Sequence, residues 1–339
     1  FLLCTVMNNS YITIIKEKRT VLSRKRVPLN QNECTADFRI GVPFEQNLHS
    51  TMKREYKASI WMKLWIKRIA GKKNILLLML LFLILTIYLE PLKSFVSISG
   101  YKISPWVYPF LITDSNFLII FMCGVICFFS NTIFFKAKDC YYFLRMGRKK
   151  WIVMELGYVI LSAVMISVLN IIMTWGVLNI QMHFENSWGK VLYTLAKTNA
   201  GEQCGLFWNI SAQYISEHSV MESMIISMII TIFGITFLGI FLLCCSLFFN
   251  RVISIALSSI LVVTSSLVVN LGDLMQKKLA TISPIAWMRV ADLDVNRFGV
   301  EISPSLSFII WGYLILIGGL VGIICRRANN IDLIWEEYE

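Results

Sequence analysis

Met224-Ile-Ile-Ser-Met-Ile-Ile-Thr-Ile-Phe-Gly-Ile-Thr-Phe-Leu-Gly-Ile-Phe-Leu-Leu-Cys-Cys-Ser-Leu-Phe-Phe249 runs for 26 residues without one charged side chain. A helix of that length rises roughly 39 Å at 1.5 Å per residue, more than the roughly 30 Å hydrocarbon core of a bilayer. It is apolar around its whole circumference, whereas a helix on a water-soluble core keeps a polar face. Lipid offers no hydrogen bonds to an open backbone, so such a stretch must be helical. This one segment sets the fold class.

Five more runs share its character: Ile75–Leu89, Phe117–Phe135, Trp151–Asn179, Val252–Leu271 and Ser305–Cys325. Within all six boundaries the only formally charged residue is Glu155. The chain of 339 residues is 56% hydrophobic and 16% charged, and its mean hydropathy is +0.65, outside the range of soluble domains. The expected fold is therefore an all-α polytopic membrane protein with six transmembrane helices. Lys and Arg divide 24 to 8 between alternate connecting segments, which puts the N- and C-termini on the cytoplasmic side. The net charge of +11 belongs to a protein facing anionic headgroups. Its cations lie between apolar runs and form no basic face on a soluble module, so no nucleic-acid partner is expected.

Ahead of the first span, Ile60, Trp61, Leu64, Trp65 and Ile69 fall on one side of a helix over Lys57–Lys73, with Lys63 and Lys67 opposite. That pattern fits an amphipathic interfacial elbow helix within 52–74; a frayed basic leader is the plainer reading. Residues 1–51 are polar and without period, expected to be disordered or not part of the native protein, whose start is expected near Met52 or Met62. The six-span domain covers 75–327, and 328–339 form a cytoplasmic tail. Trp106, Tyr108, Trp188, Tyr193, Trp208 and Trp287 in the outer connections are expected in an interfacial aromatic belt. Spans 4 and 5 are joined at Asn250-Arg251 and must form a tight hairpin. The nine cysteines and three histidines have no metal-ligand or disulfide spacing, so no metal is expected.

Several chemistries lack their residues. Gly71-Lys72 and Gly189-Lys190 have Ile66 and Phe184 where a phosphate-binding loop needs its first Gly, and Lys73 and Val191 where it needs Ser or Thr. No cofactor is expected in this chain. Ion-coupled transport places carboxylates near the bilayer midplane, whereas Glu155 lies close to the cytoplasmic end of its helix. No catalytic cluster stands out, and the chain is not expected to be an enzyme. The loop Lys136–Lys150 interleaves Tyr141, Tyr142, Phe143, Leu144 and Met146 with cations. It reads either as a short docking helix for a cytosolic partner, oriented by Arg145 and Arg148, or as an ordinary positive-inside anchor.

In order and layout, the chain resembles the membrane (permease) subunits of type-2 ATP-binding-cassette exporters. The resemblance spans roughly 55–330: the amphipathic segment, six spans, Phe143-Leu-Arg-Met-Gly-Arg-Lys-Lys-Trp151 leading into span 3, the turn before span 5, and Ser283-Pro-Ile-Ala-Trp287 after it. It implies a coupling helix at Asp139–Arg148, with Tyr142, Phe143, Leu144, Arg145 and Arg148 meeting a separate cytosolic ATPase that holds ATP and Mg. It also implies short re-entrant helices over Ile282–Val290 and a second six-span subunit, identical or related. Function would be export of a drug, peptide or lipid-like substrate across the plasma membrane. Gly124, Ser130, Thr264, Ser265 and Ser266 line the path on this reading, or else are close-packing positions. The 181–219 outer segment departs from the compact family core. It leaves open a membrane receptor or immunity protein that binds an extracellular ligand without transport; a membrane enzyme or scaffold has the least behind it.

Overall fold

A computed structural model of the chain describes residues 65–66, 68–132, 148–179, 182–198, 200–268, 273–292, 296–297, 300–301 and 304–328. The polar segment 1–51, most of 52–74, the body of the 136–150 loop and nearly all of the 328–339 tail lie outside them. The described residues are predominantly helical. In chain order the helices are α1 (Lys72–Ser99), α2 (Tyr108–Thr113), α3 (Ser115–Thr132), α4 (Arg148–Leu178), α5 (Gly189–Lys197), α6 (Ala200–Gln203), α7 (Ala212–Glu217), α8 (Val220–Ser246), α9 (Arg251–Leu267), α10 (Asp273–Ile282) and α11 (Leu306–Ala328). Two 3-10 turns, Ala286–Met288 and Val290–Asp292, follow α10. A two-residue hairpin, β1 (Asn296–Arg297) with β2 (Val300–Glu301), precedes α11.

Four helices, α1, α4, α8 and α11, are long and apolar enough to cross a membrane, with mean hydropathies of 2.5, 2.3, 2.6 and 2.5. The protein is membrane-embedded on that ground. The apolar stretches of α3 and α9 are shorter, at Ser115–Ser130 and Arg251–Leu267. Helix α1 runs ten residues past the expected end at Leu89, through Glu90, Pro91 and Lys93. Charges end a hydropathy run but not a helix, and Leu89, Leu92 and Val96 stay buried on the inward face. Gly100 stops it, with φ 68° and its N–H donating to the Val96 carbonyl, the left-handed cap that glycine adopts without steric cost.

Contacts at the helix termini fix their directions. Arg68 meets Glu155 near the start of α4, and Arg327 at the end of α11 lies over the Phe248 ring just past α8. At the other end Trp175 Nε1 donates to the Pro105 carbonyl, Trp188 Nε1 to the His218 carbonyl and Arg289 Nε to the Thr113 carbonyl. The helices thus alternate between a basic end and a capped end. Lys72, Lys73, Lys149, Lys150, Arg251, Arg326 and Arg327 are all exposed at the basic end. Helix α8 is the hub, touching α2, α3, α4, α9, α11 and both 3-10 turns; α1 lies on α3 and α4, and α9 on α3.

The capped end departs most from the expectation. Tyr108, Trp188, Trp208 and Trp287 are buried core residues, not members of a belt; Tyr193 alone of the six is exposed. All six residues of α2 are buried. Phe110 packs on Trp188 and Tyr214 with ring centroids at 5.3 and 5.9 Å. Val191, Leu192 and Leu195 of α5 are also buried. The 181–219 segment is therefore a packed cap where it is described.

Candidate functional site

The expected coupling residues Tyr142, Phe143, Leu144 and Arg145 lie outside the described residues, and Arg148 is the first residue of α4. The four path residues do not converge. Ser130 is buried near the basic end of α3 and donates to the Cys127 carbonyl at 3.0 Å. Thr264, Ser265 and Ser266 sit near the capped end of α9 and donate to Ile260, Val262 and Val263 carbonyls at 2.8, 2.7 and 2.8 Å. Ser265 is buried while Thr264 and Ser266 are half-buried, because consecutive helical positions cannot share one face.

The basic end holds the one buried charged residue among those described. Glu155, 1% exposed, sits two turns into α4 with Oε1 2.7 Å from the Arg68 guanidinium. An ionised carboxylate at such a site loses most of its hydration, so a guanidinium in hydrogen-bond contact must offset the loss. The same guanidinium lies 5.7 Å from the centre of the Tyr158 ring, one turn further along α4. Buried Asn74, in the first turn of α1, donates from Nδ2 to the Arg68 carbonyl at 3.0 Å. Three chain segments therefore meet at Arg68. Glu155 is visible in the sequence as the sole charge within the spans; its partner, 87 residues away, is not.

The interior carries stripes of small polar residues that, Ser265 apart, the sequence reading missed. Ser167, Asn170 and Thr174 on α4, Ser223, Ser227 and Thr231 on α8, and Ser254, Ser258 and Ser265 on α9 are all buried. Their spacing of three, four or seven residues is the readable signal, since it keeps them on one face. Most donate to a carbonyl of their own helix, as Ser167 to Ala163, Thr174 to Asn170, Ser223 to Ser219 and Ser258 to Ser254, each at 2.9 Å. Tyr108 Oη reaches Thr231 Oγ1 at 3.2 Å. Asn170 differs. It is fully buried, and neither Nδ2 nor Oδ1 has a hydrogen-bond partner among the described residues.

At the capped end, Asp114 accepts from the Phe117 N–H at 2.8 Å, capping α3, and from Tyr88 Oη at 3.3 Å. Burial pushes its carboxyl above the usual range, opposed by those two donors and by Arg289. Arg289 pairs with Asp292, and the Ala291 N–H donates to Thr113 Oγ1 at 3.0 Å. These bonds press the 3-10 turns into the bundle. A Cβ on Gly234 would come within 2.4 Å of Met288 Sδ, and one on Gly312 within 2.8 Å of Trp287 Cη2. Trp287 Nε1 donates to the Ala280 carbonyl at 2.8 Å and Tyr313 Oη to the Pro284 carbonyl at 2.6 Å.

Among the described residues no group of three or more His, Cys, Asp or Glu is placed to hold a metal ion. No protein-family model, curated protein or solved structure matches the chain. The described residues present a charged clasp at the basic end, a neutral interior, and a polar clasp under the cap.

Proposed function

We propose that the chain is the permease subunit of a type-2 ATP-binding-cassette exporter, powered by a separate cytosolic ATPase that carries the ATP and Mg. The observation behind this reading is the distribution of charge. The only buried charge among the described residues sits at the basic end, paired to Arg68, and the middle of the bundle offers neutral hydroxyls and one amide. Among the described residues no carboxylate is buried at mid-span, where an ion-coupled transporter places one, and this favours a driving force from outside the chain. The basic end, where the 136–150 loop joins α3 to α4, is the place for it to arrive. Positive-inside bias puts that end, and both termini, in the cytoplasm of a cell-membrane protein.

On this reading α3 and α9 are spans 2 and 5, making six. The 18 residues of α3 rise roughly 27 Å, close to the bilayer core. The helical residues before Gly71 form the end of the elbow, and the buried 3-10 turns over 286–292 correspond to the short re-entrant elements. A second six-span subunit, identical or related, completes the pathway within the bilayer. The cargo is a drug, peptide or lipid-like molecule.

Co-purification from native membranes tests the proposal. Wild-type chain is expected to bring down a cytosolic ATP-binding-cassette ATPase, and the Phe143→Asp/Leu144→Asp double variant to lose it; recovery of no ATPase by the wild type argues against it. The packed cap supports a second reading, a receptor or immunity protein for an extracellular ligand, because 182–219 has its own buried core while Phe184 and Phe207 stay exposed. Ligand binding to the cap without any ATPase partner distinguishes it.

A further inference from the structure

The helical turn that carries Arg68 is separated from α1 by Gly71, whose φ of −60° and ψ of 137° interrupt the helix. Backbone continuity therefore does not set the angle between the two. Side chains do. Asn74 Nδ2 holds the Arg68 carbonyl at 3.0 Å, and Trp65 and Ile69 pack on the apolar core. The Arg68 guanidinium grips Glu155 at 2.7 Å with the Tyr158 ring beside it. Glu155 belongs to the part of α4 that receives the chain directly from the 136–150 loop. The clasp thus joins two segments 87 residues apart in the sequence.

We propose that the Arg68–Glu155 pair is a latch that makes the pre-span helix and the head of α4 move as one body, so that a displacement imposed on the 136–150 loop reaches the start of α1 as well as α4. The existence of the latch stands on the geometry above; its use in transmission rests on the permease reading. An arginine suits the role better than a lysine, because its planar fork binds a carboxylate and lies against an aromatic ring at once. Arg68 is 22% exposed and Glu155 1%, so opening rehydrates the guanidinium but withdraws it from a buried carboxylate, which favours the closed latch.

The test uses the full chain in lipid nanodiscs, comparing wild type, Glu155→Gln, Arg68→Glu and the swap Arg68→Glu/Glu155→Arg by amide hydrogen exchange. Amides over 65–74 are expected to exchange about tenfold faster in each single variant, with 220–246 unchanged, and to regain most of their protection in the swap. Unchanged exchange at 65–74 in Glu155→Gln overturns the latch. So does a loss that spreads equally to 220–246, or folded protein lost in Glu155→Gln and not recovered by the swap. Where the ATPase co-purifies, Glu155→Gln is expected to keep it bound while permease-stimulated hydrolysis falls about fivefold. Undiminished stimulation overturns the transmitting role. Recovery of no ATPase with the wild type sinks the permease reading and the transmitting role with it, and the exchange result decides the latch itself.

Discussion

Helices α8 and α11 are equally apolar, with mean hydropathies of 2.6 and 2.5, yet 72% of the first apolar window is buried within the chain against 17% of the second. Their glycines follow the difference, except for Gly312 near the start of α11, which packs on Trp287. A Cβ on Gly239 would lie 2.6 Å from Val159 Cγ1 and 2.9 Å from Phe129 Cε2, and one on Gly234 would meet Met288 and Tyr313. On α11 a Cβ at Gly318, Gly319 or Gly322 would meet nothing within 4 Å. In lipid, apolarity does not sort helices into centre and periphery, because the solvent is as apolar as the side chains. Close packing does, and it needs small residues where two helices approach.

The comparison has consequences that differ in size. The largest concerns the charges. Glu155→Gln, which removes the charged partner of the partly exposed Arg68, is expected to loosen the basic end by about 1.5–3 kcal/mol. Glu185→Gln, in an exposed pair with His183 at 3.3 Å, should change it by under about 1 kcal/mol. Reversible unfolding in mixed micelles measures both, and equal effects would erase the distinction between interior and rim.

Next comes packing. Gly239→Ala should cost about 1–3 kcal/mol by overfilling the contact with Val159 and Phe129. Gly322→Ala on α11 should be neutral or stabilising by up to about 1 kcal/mol, since alanine favours helix and finds open space. A costly Gly322→Ala would mean that this face of α11 is packed in the membrane, by a second subunit for instance.

Asn170 sharpens the same contrast from the polar side. It shares a face of α4 with Val159, which meets α8, and its amide is unpaired among the described residues. Replacement by Leu removes an uncompensated buried polar group and is expected to stabilise by about 1–2 kcal/mol. A loss of stability instead would show that the amide has found water or another partner in the bilayer. The smallest effect belongs to Thr264→Val, at a half-buried position of α9, at under about 0.5 kcal/mol.

The long helices were legible in the sequence because lipid leaves the backbone no alternative to hydrogen-bonding itself. The capped end was not. Tyr108, Trp188, Trp208 and Trp287 have the composition of an interfacial belt, and only tertiary contacts reveal that they are a core. Pro91 and the charges beside it end a hydropathy window, while the helix continues on the burial of Leu92 and Val96. Thr264, Ser265 and Ser266 adjoin in sequence and so fall on different faces of α9. The stripes at Ser223, Ser227 and Thr231 and at Ser254 and Ser258 follow helical spacing and share one buried face each. Glu155 could be singled out as the lone charge within the spans, but nothing local named Arg68.

A photo-crosslinking amino acid placed at Phe143, and separately at Phe184 as a control, probes orientation and partner together in living cells. The Phe143 probe is expected to capture a cytosolic ATP-binding-cassette ATPase and the Phe184 probe no cytosolic protein. Capture of no ATPase at Phe143, or of a cytosolic protein at Phe184, would contradict a permease driven from its basic end.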